Sequence, residues 1–160
     1  MSTTRITRDL QAPPSRVYRA LLVPEAVARW KVPAGMSIEV HEFDAQEGGR
    51  VRVSLTYDAS DRAGKTTEHT DTYHGRFVEL VPDERVVEVD EFETDDPALR
   101  GAMTTTITLT GTDDGVTRLT AVHDGLPSGV RPEDNELGWQ EALDRLAALV
   151  EEPSDEVTLR

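Results

Sequence analysis

Apolar and polar residues alternate through most of this chain, and the alternation gives way near the end to one amphipathic helix. That order constrains the fold more than any single motif. Arg50–Tyr57 sets Val51, Val53, Leu55 and Tyr57 on one face and Arg52, Ser54 and Thr56 on the other, the signature of a half-buried strand. Residues 4–11, 37–43, 66–80, 85–93, 102–110 and 116–124 read as further strands, with 58–65 and 95–101 as exposed loops. Turns fall at Glu47-Gly48-Gly49, Val81-Pro82-Asp83-Glu84 and Thr112-Asp113-Asp114-Gly115, and Gly125-Leu126-Pro127 closes the last strand. Short connections between consecutive strands imply an antiparallel meander.

Helices flank the meander. Ala12-Pro13-Pro14 ends the first strand, and residues 15–22 and 25–30 carry Val17, Tyr18, Leu21, Leu22, Val27 and Trp30 at helical spacing, with Pro24 between them. The final helix begins near Arg131-Pro132-Glu133-Asp134. At about 100° per residue, Trp139, Leu143, Leu146 and Val150 form one stripe flanked by Ala142 and Ala147, with Glu141, Asp144 and Arg145 opposite. Pro153 stops it. A sheet with one apolar face needs a cover, and this helix is the element long enough to supply it. The expectation is an α+β chain with a curved antiparallel sheet of six or seven strands around the C-terminal helix. It forms one domain over residues 1–152, followed by a polar tail at 153–160.

Composition excludes several functions. A formal charge of −14 opposes nucleic-acid backbones and anionic membranes alike. The chain has no cysteine, hence no disulfide, thiolate metal site or thiol nucleophile. It has no apolar run long enough to span a bilayer, so the expected location is the cytoplasm. Lysine occurs only at Lys31 and Lys65, the other cations being arginine, a pattern attributable to genome composition rather than to a site.

The order of short motifs resembles a known group. Ala12 to Leu21 after the first strand, Trp30, Phe43-Asp44, Glu47-Gly48-Gly49-Arg50-Val51-Arg52-Val53, His74-Gly75-Arg76-Phe77-Val78-Glu79-Leu80-Val81-Pro82 and Glu84-Arg85-Val86-Val87 are carriers of that resemblance. Gly125-Leu126-Pro127, Gly138-Trp139 and Leu143 complete it. Over about residues 4–151 the chain resembles the helix-grip proteins of the START/Bet v 1-like superfamily, within the branch similar to the C-terminal domain of the activator of the Hsp90 ATPase. The resemblance implies a cavity between sheet and long helix, used by many relatives to hold small apolar molecules and by some for catalysis, and a link to stress response. ATPase activation itself depends on a second chaperone-binding domain and is not carried over. One departure stands out: Glu88 and Asp90 occupy positions where relatives usually place apolar or aromatic residues.

Candidate ligand contacts follow from alternation: Val53, Leu55, Tyr57, Phe77, Phe92, Met103, Thr105 and Ile107 from the sheet, with Trp30, Trp139 and Leu143 from helices. Many of these serve equally as core. Of the histidines at 41, 69, 74 and 123, His123 shares a face with Leu119 and Ala121 and is the best catalytic candidate. Glu88 and Asp90 share a face and form a proton-accepting pair if enclosed, or a solvated outer surface if not. His69 and Asp71 lie on one strand face and His74 on the other, which opposes metal binding. No nucleophile elbow, phosphate loop or dinucleotide fingerprint occurs, so no cofactor is expected. The leading expectation is a carrier or sensor of a small apolar molecule. The alternatives are a cyclase- or hydratase-type enzyme working through His123, and a co-chaperone-like interaction module; a homodimer is left open.

Overall fold

The computed structural model describes residues 2–58, 69–112 and 114–151. The polar tail at 153–160, the loop interior at 59–65, the first residues of the expected strand at 66–80 and Asp113 lie outside those described residues. In chain order the elements are β1 (Ser2–Leu10), α1 (Pro14–Leu22), α2 (Pro24–Trp30), β2 (Met36–Phe43), β3 (Arg50–Tyr57), β4 (Thr70–Val81), β5 (Arg85–Phe92), β6 (Met103–Gly111), β7 (Thr117–Leu126) and α3 (Pro132–Glu151). The fold is α+β.

The seven strands form one antiparallel sheet in the order β1-β7-β6-β5-β4-β3-β2. From β2 to β7 each strand pairs with its successor in the chain, which short hairpins allow. The closing pair is different, because β1 joins β7 from the far end of the sequence. The chain therefore leaves one sheet edge after β1 and re-enters at the opposite edge with β2. Two helices make that crossing. Prolines at the first turns of α1 and α2 cost no hydrogen bond there and fix the start of each helix.

Register shifts at Ser2/Thr4, Val40/Glu42 and Phe77/Glu79 bend the strands and increase their twist. The β2–β3 turn is pinned onto the sheet: Gly48 N–H donates to Phe77 O at 2.8 Å, and Phe77 N–H donates to Gly49 O at 3.0 Å. Gly48 sits at φ 83°, where a side chain is strained. Strand β7 runs two residues beyond expectation: Leu126 still pairs with Ser2, and Gly125, at φ 77°, falls in the register shift before it.

Helix α3 packs against β1 and α2. Trp139, Ala142, Leu143, Leu146, Ala147, Leu149 and Val150 are buried along it, as helical periodicity requires of a covering helix. Leu149 widens the expected stripe. Glu141 departs from the expected outer face: it is half-buried and its carboxylate accepts the Ala34 N–H at 3.2 Å, fastening the segment after α2 to α3. The core beneath joins Leu10, Val17, Trp30, Val53, Phe77, Leu119, Leu143 and Leu146. Trp30 is fully enclosed, and its indole N–H donates to Ala20 O at 2.8 Å, so burial leaves no polar group unpaired.

Leu143→Ala is expected to cost about 2–5 kcal/mol in urea unfolding, because a buried leucine side chain is replaced by a cavity. Gln140→Ala, on the exposed face of the same helix, should change stability by less than about 0.5 kcal/mol.

Candidate functional site, a pocket with a buried charge cluster

Core packing stops short at one end of the sheet. There a pocket of about 370 Å³ lies between β3–β7, the first half of α3, the segment just before α3 and the one that follows α2. Leu55, Phe92, Met103, Leu126, Val130 and Trp139 provide apolar wall. Tyr57, Thr105 and His123 border it as well. Trp30, Val53, Phe77, Ile107 and Leu143, expected as ligand contacts, do not border it. All five are buried in the packed core. Val53, Phe77 and Ile107 are on the inner face of the sheet, but only the end of that face toward β3's last residues and β6's first ones opens into space.

The floor of the pocket is charged. β5 directs Glu88 and Asp90 inward, and each is less than a tenth exposed. The sequence left open whether the two acids are enclosed or form a solvated outer surface, and both are enclosed. β5 pairs in continuous register with β6 from Arg85 to Asp90, so the cavity side is polar. Opposite the carboxyls is Lys31, the residue that ends α2. Its backbone N–H caps the helix by donating to Val27 O at 2.9 Å, and its ammonium reaches Glu88 Oε1 at 3.4 Å. One of the two lysines set aside as compositional thus stands at the centre of the site. The signal for it was the rarity of lysine in an arginine-rich chain: a compact ammonium on a flexible stem fits where a guanidinium fork would not.

Gly75 makes room for this arrangement. It faces Asp90 across the β4–β5 pair, and a Cβ there would fall 2.1 Å from Asp90 Oδ1 and 2.0 Å from Val89 O. A glycine inside a strand marks such a close approach, and His74-Gly75-Arg76 carried that mark in the sequence.

Two carboxyls and one ammonium cannot all be ionised cheaply in a dry site. Burial pushes the Asp90 carboxyl well above the ordinary range, and the charge of Glu88 and its hydrogen bond with that side chain push it further, against the opposing pull of Lys31. Burial alone would also raise Glu88, but the Lys31 ammonium and the hydrogen bonds with Asp90 and Lys31 outweigh it and hold Glu88 low. Burial would neutralise Lys31, but the charge of the Glu88 carboxylate and its hydrogen bond reverse that effect. The cluster therefore settles as Lys31 ammonium, Glu88 carboxylate and Asp90 acid. No protein donor reaches Glu88 Oε2 or Asp90 Oδ1. Of the two acids, Asp90 is the one whose surroundings favour keeping the proton.

His123 sits beside the cluster but is poorly arranged as a base. Trp139 Nε1–H donates to its Nδ1 at 3.1 Å, and Asn135 Nδ2 lies 3.3 Å from the same atom. An indole only donates, so Nδ1 is the unprotonated nitrogen and Nε2 carries the hydrogen, 3.4 Å from Met103 Sδ. Burial and the nearby Lys31 charge lower its pKa to about 4. The ring is a neutral acceptor that orients Trp139. His41 and His74 lie on the outer face, where they meet Ser54 and Glu39, and Glu91 and Glu93. Among the described residues no group of His, Asp and Glu has the arrangement of a metal site, and no helix is long and apolar enough to cross a membrane.

A curved antiparallel sheet closed by a long C-terminal helix, with two short helices after the first strand, defines a helix-grip protein of the START/Bet v 1-like class. The family described as "Activator of Hsp90 ATPase homolog 1-like protein" matches residues 11–151, and the chain belongs to it. Protein CV1439 from Chromobacterium violaceum is 43% identical, with a TM-score of 0.84 over 94% of this chain and 97% of that one. Mll3558 from Rhizobium loti is 30% identical, with a TM-score of 0.71 over 92% and 95% of the two chains. No curated protein matches significantly.

The lowered histidine pKa has a sign. Below about pH 6.5 the unfolded chain takes up a proton that native His123 refuses until about pH 4, so stability falls as pH drops through that window and levels off beneath it. Urea unfolding at pH 7 and pH 4.5 should show wild type losing about 2 kcal/mol more than His123→Gln, since each unit is worth about 1.4 kcal/mol. Equal losses would contradict the assignment.

Proposed function

We propose that the protein binds a small molecule with a largely apolar body in the pocket beside Trp139, as a carrier or sensor. The observation that carries this reading is local: sheet and helix are tightly packed along the core, yet a space of about 370 Å³ remains at one end, within the size range of small-molecule sites. Its upper wall is built from side chains that gain by losing water. A ligand burying a few hundred Å² of apolar surface there gains roughly 5–10 kcal/mol at about 25 cal/mol per Å². Association costs of similar order leave roughly micromolar affinity.

The surface favours this reading over a docking module. Among the described residues the exposed large hydrophobics are Val78 on β4 and Leu137 on α3. Leu137 borders the pocket itself, where it serves the entering ligand. Chemistry through His123 is disfavoured because both ring nitrogens already have partners.

Titration with octan-1-ol, followed through indole fluorescence, is expected to show saturable binding. Leu55→Trp fills the pocket from a partly exposed wall position and should weaken that binding at least tenfold while leaving the urea midpoint nearly unchanged. Undiminished binding by Leu55→Trp would place the ligand elsewhere and contradict the proposal.

A further inference from the structure

An apolar container has no use for a buried acid pair in its floor. Burial of Glu88 and Asp90 costs stability that valine or leucine at the same positions would not. The two carboxyls are less than a tenth exposed, Asp90 borders the pocket, and Asp90 Oδ1 and Glu88 Oε2 have no protein donor. Lys31 balances only one of the two acids, through Glu88 Oε1. The floor therefore has hydrogen-bond acceptors in excess and room for one more positive charge.

Groups facing Asp90 from the surrounding elements point the same way. β4 contributes Asp71 and Tyr73, β3 contributes Tyr57, and β7 contributes the neutral His123. Toward the mouth, α3 adds Asp134 and Glu141, and Arg131, the cation there among the described residues, is paired with Glu133 at 3.1 Å. A concave, acid-lined, partly dry cleft concentrates cations from solution.

Resting on the pocket reading above, we propose that the ligand is an amphipathic amine, whose protonated nitrogen takes the place of the Asp90 proton and sits against the unpartnered oxygens of Asp90 and Glu88. The exchange balances. R–NH3+ enters, the Asp90 carboxyl gives its proton to solvent, and the ammonium donates N–H bonds to the freed carboxylate oxygens. Before binding, Lys31 ammonium and Glu88 carboxylate cancel beside a neutral acid. Afterwards two ammonium groups face two carboxylates, and the floor is neutral again. The ligand's apolar body lies against Leu55, Phe92, Met103 and Trp139. Burial and the charge of Glu88 raise the Asp90 carboxyl, which favours a proton there for the amine to displace. A carboxylate ligand of the same length is disfavoured, because the Lys31 ammonium is already engaged by Glu88 at 3.4 Å and the Glu88 charge repels it.

The test compares octylamine, octan-1-ol and octanoate on the whole protein by titration calorimetry. Octylamine is expected to bind at least tenfold more tightly than octan-1-ol at pH 7.5, and octanoate more weakly than either. Between pH 6 and 8 the amine affinity should rise by up to about tenfold per pH unit while the alcohol affinity stays flat. Calorimetry of wild type in two buffers of different ionisation enthalpy should return about one proton released per amine bound, a readout that needs no variant. Asp90→Asn, which keeps the size of the acid but has no proton to exchange, should lower amine affinity at least tenfold and abolish the pH dependence. Equal affinity for amine and alcohol, or amine binding without proton release, overturns the inference and leaves the pocket reading standing. Failure of all three probes to bind overturns both.

Discussion

Glu88 and Asp90 point into the interior from a strand whose neighbours are Val86 above and Phe92 below, and they are tolerable there because Lys31 meets them from the end of α2. The rest of the pocket is arranged around that contact. The crossover from β1 to β2 brings α2 over the sheet, and the last residue of its capping turn delivers the ammonium. Gly75 leaves the space into which Asp90 folds. The charge of Lys31, together with burial, keeps His123 neutral, and the neutral ring holds the indole of Trp139 by its Nδ1 at 3.1 Å, with the two rings edge to face. Removing the cation would leave two acids in a dry site, a change that reaches the sheet, the helix and the pocket wall together.

A second carboxylate network lies on the opposite face of the same sheet and behaves differently. Arg52 donates from Nε and Nη2 to Glu93 at 2.8 and 2.9 Å, and His74 Nδ1 lies 3.1 Å from the same acid. Hydrogen bonding to the guanidinium and histidine outweighs the small burial cost and holds Glu93 at about 2. Here donors outnumber the acid and solvent screens the rest, so the network contributes to stability as a surface ion pair does. On the inner face the acids outnumber the cation, and a proton makes up the difference. The contrast between the two faces of one sheet identifies the inner cluster as the unusual one.

The architecture was legible in the sequence because each element declares itself locally. Alternation from Val51 to Tyr57 fixes a face, Gly115 at φ 79° and Asp83 at φ 63° mark hairpin turns, and the Trp139–Leu143–Leu146–Val150 stripe marks the gripping helix. The site was legible only in part, for a physical reason. Periodicity reports which side of the sheet a residue faces, and it is silent on whether the space beyond is filled. Phe77 and Phe92 alternate alike, yet Phe77 is buried in the core, edge-on to Phe43 at 5.4 Å, and Phe92 borders the pocket. Lys31 belongs to a helix cap and meets Glu88 across 57 positions of sequence, a distance over which no local pattern carries information. Glu141 likewise reads as an outer-face residue until the Pro33–Ala34 segment folds against it. What the sequence did offer was chemical incongruity: two acids on an inward strand face, a mid-strand glycine, and a lysine where arginine is the rule.

Carbon-detected NMR titration of side-chain carboxyls in protein labelled at Asp and Glu tests the charge cluster at its centre. The account predicts that the Asp90 carboxyl carbon stays at its protonated position through the pH range, near 4, in which exposed carboxyls ionise, while Glu88 is ionised throughout it. Asp90 should move only well above that range. An Asp90 signal that ionises together with the surface carboxyls would show that Asp90 keeps no proton, and the account of the pocket floor would be wrong.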